Sequence, residues 1–281
     1  MVVEFFAFGV QVYAGHRGEA GATIRLGLSV SWAIASAAAV GSSHLRGNTP
    51  CQDAYLVDTL PMILGEPALM AFVADGAGSA SMAEQAAQAA VGTAAEHCRQ
   101  HANMIGASFD AAFISQLVRS GRAAMVSLAD NAGLPVREFA CTLLGVLAFR
   151  DQTLAFQIGD GGIVLDHGDG LALAITPMSG EYVNMTHFLI DDDAETRVAV
   201  QTSARVERMA LFSDGLQRLA LSLQDLTPHA PFFAPFFQTL GKVPSPTREQ
   251  LDQALEQFLS SDKVNARTDD DKTLILACRV A

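Results

Sequence analysis

Positive charge is scarce in this sequence: 18 lysine and arginine residues face 30 aspartates and glutamates, for a formal net charge of −12 over 281 residues. A phosphate backbone or an anionic membrane surface needs a dense basic patch, so neither nucleic acid nor a membrane is an expected partner. Cysteine is nearly absent as well. Cys51, Cys98, Cys141 and Cys278 lie far apart, with no CxxC pair to hold zinc and no density for a disulfide scaffold, and they read as reduced thiols of a cytoplasmic protein. No apolar run reaches the ~20 residues that span a bilayer. The segment 26–41 comes nearest, but no basic cluster opens the chain, and Trp32, Ile34 and Val40 suit a strand. Internal repeats and Gly/Ser/Pro linkers are also missing, so residues 31–281 are expected to form one domain behind an unassigned N-terminal extension, residues 1–30.

Half of the residues are apolar, enough for a sizeable core. Short apolar runs predict strands at 32–40, 54–59, 69–74, 141–149, 153–158, 162–166, 197–202, 208–212 and 273–280, several separated by Gly- or Asp-containing turns that suit antiparallel hairpins. Helices are expected in three places. Ser81 and Glu84 have capping-box spacing ahead of an Ala-rich stretch ending near Arg99. Phe109, Ala112, Phe113, Leu117, Ala124 and Leu128 recur near a period of 3.6. Thr247 and Gln250 form another capping box, before Leu251, Ala254, Leu255, Phe258 and Leu259. Strands, two long helices, more strands, shorter helices and a last strand make an α+β pattern: two antiparallel sheets with helices packed outside.

Five aspartates sit at strand ends. Asp53 opens one, while Asp75, Asp160, Asp214 and Asp270 fall at or next to others, and Asp75, Asp160 and Asp214 are each followed by glycine. Singly, an Asp-Gly after a strand is usually a turn, with glycine supplying a positive φ. Together, the acids could converge on one cleft between packed sheets. There they would repel one another unless their pKa values rose or cations neutralised them. All-oxygen ligation suits Mg²⁺ or Mn²⁺ and disfavours zinc. Asp191, Asp192 and Asp193, in a polar stretch, read instead as a solvated loop.

Gly41-Ser42-Ser43-His44-Leu45-Arg46-Gly47-Asn48-Thr49-Pro50-Cys51-Gln52-Asp53, Val73-Ala74-Asp75-Gly76-Ala77-Gly78-Ser79, Gly159-Asp160-Gly161, Phe212-Ser213-Asp214-Gly215-Leu216 and Asp269-Asp270-Asp271-Lys272-Thr273 follow one another in the order and spacing of a known family. With these motifs the chain resembles the bacterial protein phosphatase 2C family, the PPM-type metal-dependent protein phosphatases, across residues 41–273. The segment 180–186 is similar to a flap found in a subgroup. The resemblance implies a four-layer αββα sandwich and a serine/threonine protein phosphatase using two, or with a third site three, Mg²⁺ or Mn²⁺ ions. It implies that Asp75 bridges two metals, that the Gly76 carbonyl binds one, and that Asp53 assists through water. Asp214 and Asp270 complete the pair, Asp270 being preferred to Asp271, and Asp160 with Asp214 holds the third. Such ions bind phosphate oxygens, lower the pKa of a bridging water and stabilise an in-line displacement.

The substrate-binding candidates are Arg46 and His44. Arg46 could grip phosphate or be an ordinary surface arginine further from Asp53 than is common. His44 could protonate the leaving oxygen or cap the strand. Two positions depart from the pattern: Ala77 stands where eukaryotic relatives have histidine, and Gln52 where others have glutamate. Thr142 aligns near the site but reads as a strand residue with a satisfied hydroxyl. The implied partners are a phosphoprotein substrate and a cognate serine/threonine kinase, with a monomer favoured. The alternative is a catalytically weak phosphatase-like module that binds and regulates a kinase.

Overall fold

The five-residue apolar runs at 162–166 and 208–212 become strands because both of their faces find cover. The computed structural model describes residues 31–63, 66–177, 186–222, 224–242 and 246–280. Residues 1–30, the unassigned extension, and all of the flap-like segment but Thr186 lie outside that set.

Among the described residues, one sheet runs in the order β1 (Ser31–Ala39), β12 (Lys272–Val280), β9 (Arg208–Phe212), β6 (Gly162–Asp166) and β7 (Leu171–Leu173). The second runs β2 (Asp53–Ile63), β3 (Glu66–Asp75), β4 (Leu143–Ala148), β5 (Gln152–Ile158) and β8 (Ala199–Ala204). All their pairings are antiparallel. A short ribbon of β10 (Leu221–Ser222) and β11 (Thr227–Pro228) stands apart. The long helices are α2 (Ala83–Ala102), α3 (Ala111–Ala132), α6 (Ala230–Leu240) and α7 (Arg248–Leu259). Between them come the short α1 (Ser42–Gly47), α4 (Ala194–Arg197), α5 (Gln217–Ala220) and α8 (Asp262–Asn265).

Successive strand residues point to opposite faces, so each inner strand feeds two cores. In β3, Leu69, Ala71 and Val73 meet Ile163, Leu165, Met209, Leu211 and Ile275 of the other sheet. Met70, Phe72 and Ala74 instead meet α2 and α3. Across the molecule Phe212, Leu274 and Leu276 pack under Phe233, Phe237, Leu255 and Leu259 of α6 and α7. The layers are helix, sheet, sheet, helix: the αββα sandwich that the sequence leads one to expect. No described helix is long and apolar enough to cross a membrane.

Several local details differ from the sequence reading. The Ser81 capping box does not form. Met82 is the N-cap of α2 and has no side-chain cap. The first turn is held instead from Glu138, whose carboxylate accepts the Ser81 N–H and whose carbonyl accepts the Met82 N–H. In α3 the buried stripe is Phe113, Ile114, Leu117, Val118, Gly121, Met125 and Ala129, while Ala112 is exposed and Ala124 and Leu128 only half-buried. Ile114, Val118 and Met125 offer more apolar area than the alanines, and they win the inward face. The Thr247–Gln250 box is present in both directions.

Candidate active site

The register of the two sheets puts acids at one end. Asp53 and Asp75 are direct partners across the β2–β3 ladder. Asp214 follows β9, which pairs with β12 through Leu274 and Phe212, so the turn at 214 and the approach to β12 at 270 lie side by side. Asp160 caps the β5–β6 connection. Asp75, Gly76, Asp160, Asp214 and Asp270 line one cleft of about 240 Å³, together with His44, Thr142 and Thr186. Asp53, only 8 % exposed, lies behind that lining.

The glycine after each acid has a different job from the one its turn chemistry suggests. None of Gly76, Gly161 and Gly215 has a positive φ. A Cβ on Gly76 would lie 2.6 Å from the Ala83 carbonyl oxygen, and one on Gly215 would lie 2.0 Å from that of Asp271. These glycines let loops touch, which is what draws the acids together.

Behind the cleft, Asp53 Oδ2 accepts hydrogen bonds from Ser213 Oγ at 2.7 Å and Thr273 Oγ1 at 2.8 Å. The Thr273 N–H in turn donates to Ser213 Oγ at 3.0 Å. Burial nevertheless pushes the Asp53 carboxyl up from 3.8 to about 7, the two hydroxyls pulling back against it and Asp271 and Asp214 adding to it. Asp75 is raised well above the usual range, first by burial and then by the charges of Asp53 and Asp214. Asp214 rises to about 6, again mainly by burial, with a hydrogen bond shared with Asp75 opposing the shift and Asp160 and Asp270 adding to it. Asp53 Oδ1 and Asp214 Oδ1 are buried without any hydrogen-bond partner. Orphaned buried carboxylate oxygens among like charges are a costly arrangement that a cation relieves. Among the described residues no three acids or histidines already stand grouped as a metal-holding set; the fold brings them to one cleft.

Asp271 is built differently. It is 3 % exposed, and both of its oxygens are taken: Oδ1 accepts the Gly41 N–H at 2.6 Å, while Oδ2 accepts the Gln52 N–H at 2.6 Å and sits 2.9 Å from His44 Nδ1. Asp270, its neighbour, is exposed and faces the cleft. The backbone therefore separates an anchoring acid from an available one. Arg46 does not line the cleft; its side chain is 68 % exposed, 3.5 Å from Asp269. Thr142 lies at the cleft wall, and its hydroxyl accepts the Asp75 N–H at 2.9 Å, as a satisfied strand-end residue should. Asp191, Asp192 and Asp193 are tied to the Phe188 N–H, Arg122 and Arg197 respectively.

Several supporting groups were not singled out from sequence. Ser213 and Thr273 lie inside the quoted motifs, and a hydroxyl flanking an acid at a strand end was the available signal. Thr186 Oγ1 donates to Asp160 Oδ2 at 2.8 Å, and Gln217 donates to the Asp160 carbonyl. Lys272 is fully buried, with Nζ 2.8 Å from Asn265 Oδ1; burial lowers its pKa, and the carboxylates of Asp271, Asp270 and Asp53 oppose that shift. Cys51, beside Asp53, is pushed up to about 12 by burial and then by Asp53 and Asp271, so its thiol stays protonated and is no nucleophile.

Comparison with known proteins agrees with this architecture. The family model described as protein phosphatase 2C matches residues 40–260. Serine/threonine-protein phosphatase 3 of Escherichia coli (strain K12) is 46% identical over 252 residues, covering 88% of this chain and 98% of that protein. The serine/threonine phosphatase Stp1 from Staphylococcus aureus superposes with a TM-score of 0.62 at 13% identity, over 94% of this chain and 100% of that one. The catalytic domain of the phosphatase PstP, solved in complex with 2 manganese ions, gives a TM-score of 0.52 at 16% identity, over 82% of this chain and 98% of that one. The order of the motifs, the sandwich and these relatives lead to one assignment: the chain belongs to the protein phosphatase 2C family.

Proposed function

We propose that the acidic cleft is the centre at which this phosphatase hydrolyses phosphoserine or phosphothreonine on proteins, with two or three Mg²⁺ or Mn²⁺ ions as cofactors. The observation that carries the reading is the convergence of Asp75, Asp160, Asp214 and Asp270 on one cleft with Asp53 behind it. The donor set fits hard divalent cations, being all oxygen and holding orphaned carboxylate oxygens on Asp53 and Asp214. Asp75, the Gly76 carbonyl, Asp214 and Asp270 would hold a pair, Asp53 would support it, and Asp160 with Asp214 would hold a third. Bound there, such ions supply charge for the phosphate oxygens and acidify water.

The chain's own residues set the stage. Ser213 and Thr273 fix Asp53. Thr186 and Gln217 fix Asp160. Asp271 orients His44 at the cleft wall, where its imidazole is the group placed to pass a proton to the departing serine or threonine oxygen. No feature of the described cleft favours the alternative, a catalytically weak kinase-binding module. A cognate kinase and a monomer rest on the family resemblance, and a cytoplasmic setting on the four widely spaced, unbridged cysteines.

The test is direct. Purified protein should hydrolyse a phosphoserine peptide when Mn²⁺ is added and stop with EDTA, and Asp214→Asn should abolish turnover while circular dichroism stays native. Full activity in EDTA, or in that variant, would remove the reading.

A further inference from the structure

Arginine and lysine are few here, and nearly all are engaged. Arg46, Arg99, Arg119, Arg122, Arg137, Arg150, Arg197, Arg205, Arg208 and Arg248 each have a carboxylate within 4.0 Å. Lys272 bonds Asn265, Arg279 bonds backbone carbonyls, and Lys242 also has a partner. Among the described residues three cationic side chains stand without one: Arg218, Lys263 and Arg267. All three line the same groove, of about 580 Å³.

The groove has an apolar floor. Phe232 and Phe236 of α6 and Phe258 of α7 are only half-buried, with ring centroids 5.2 to 6.2 Å apart. Phe233 and Phe237 on the same helix are buried in the core, so Phe232 and Phe236 are the rings left over to face outward. The groove also runs on toward the acids. Arg218 and Arg267 line a second hollow, whose other walls include Asp214, Gly215 and Asp270. Arg218, in α5, lies four positions beyond Asp214, and Arg267, in the turn after α8, three positions before Asp270, so both cations sit on the short segments that deliver cleft acids.

We propose that this groove docks the segment of the phosphoprotein substrate that flanks the phosphorylated residue, reading an acidic side chain through Arg218 and Arg267 and an apolar side chain on the Phe232–Phe236–Phe258 floor. The proposal deepens the phosphatase reading and rests on it. Charge complementarity names the occupant: in a chain of net charge −12, unpaired cations gathered beside an acidic cleft select an acidic ligand and orient it. The concave aromatic floor favours a peptide over a lipid surface, which would call for a broader basic face.

Two labelled phosphoserine peptides test it, one with glutamates and a leucine next to the phosphoserine and one with glycine and serine there. The Mn²⁺-loaded protein should prefer the acidic peptide by about tenfold in kcat/KM, chiefly through KM, with the preference shrinking at high salt. Arg218→Glu combined with Arg267→Glu should erase that ratio, and Lys263→Glu, further from the cleft, should reduce it. The unphosphorylated acidic peptide, which cannot turn over, should lose affinity by about tenfold in the double variant, measured by fluorescence anisotropy. Equal kcat/KM for both peptides, or a ratio and affinity indifferent to charge reversal, would overturn docking while leaving the phosphatase reading intact. Absent turnover of both peptides would sink the phosphatase reading, and anisotropy would then decide docking. Stronger capture by phosphatidylserine vesicles than by the acidic peptide would assign the groove to membranes instead.

Discussion

Asp270 and Asp271 are adjacent in sequence and opposite in circumstance. Asp271 is buried with every oxygen satisfied by Gly41, Gln52 and His44, and it ties the approach to β12 to the segment before β2. Asp270 is exposed, and with Asp75 and Asp214 it belongs to a cleft where buried carboxylate oxygens go unpaired and pKa values climb. One acid stabilises the fold; the others strain it. The same side chain thus serves stability or chemistry according to whether the backbone supplies its donors.

Substitutions can break that contrast from either side. Asp75→Asn should have the largest effect, costing about 10³-fold in kcat on a phosphopeptide, since several kcal/mol of charge stabilisation is lost at about 1.4 kcal/mol per tenfold. Its urea midpoint in EDTA should equal or exceed that of the native protein, because a like charge has been removed. Asp271→Ala should do the reverse, lowering unfolding free energy by about 3 kcal/mol in urea titrations, because the N–H groups of Gly41 and Gln52 lose a buried charged acceptor.

Next comes pH. A carboxyl raised by folding stabilises the folded state below its ordinary pKa and gives that contribution up as pH rises through the raised value. For Asp53, raised chiefly by burial, the window runs from 3.8 to about 7. The midpoint of thermal unfolding in EDTA should therefore fall between about pH 4 and pH 7, with Asp214 and Asp75 contributing in the same direction. Saturating Mn²⁺ should reverse the fall, by roughly 2.7 kcal/mol at a hundredfold excess over Kd. A flat profile in EDTA would mean that the acids are not held in this strained state. Arg46→Ala should be mildest, under about 1 kcal/mol in stability for an exposed ion pair, and under about threefold in kcat/KM.

Much of the framework was legible in the sequence. The runs 162–166 and 208–212 are the strands β6 and β9 to the residue, because glycine, aspartate and arginine punctuate them sharply. The acid set was legible too, since strand ends carrying Asp-Gly are visible as letters. Other features depend on contacts made far along the chain. α6 holds Pro231 in its first turn and Pro235 within it, so its pattern reads as a break, yet packing of Phe233 and Phe237 on the sheet holds it helical. The six-residue α1 closes locally on Asn48 but has no side-chain cap at its N-terminus, which is fastened instead by Asp269 and Asp271, more than 220 positions away. The anchoring role of Asp271 was hidden for the same reason: which of two neighbouring acids meets the N–H groups depends on the backbone's path.

The facing of Asp53 and Asp75 across β2–β3 carries a last consequence. Like charges directly opposite weaken a ladder by up to ~1 kcal/mol, whereas a single buried Val or Leu contributes ~1.5–3 kcal/mol. Slipping this hairpin by one residue would part the two acids, but it would also turn Leu69 and Val73 from the intersheet core toward the helices and Phe72 from the helices into that core. Aliphatic packing therefore pins the rung that the charges would rather leave. Mutations that loosen this core, even far from the cleft, should weaken ion affinity well before the molecule melts.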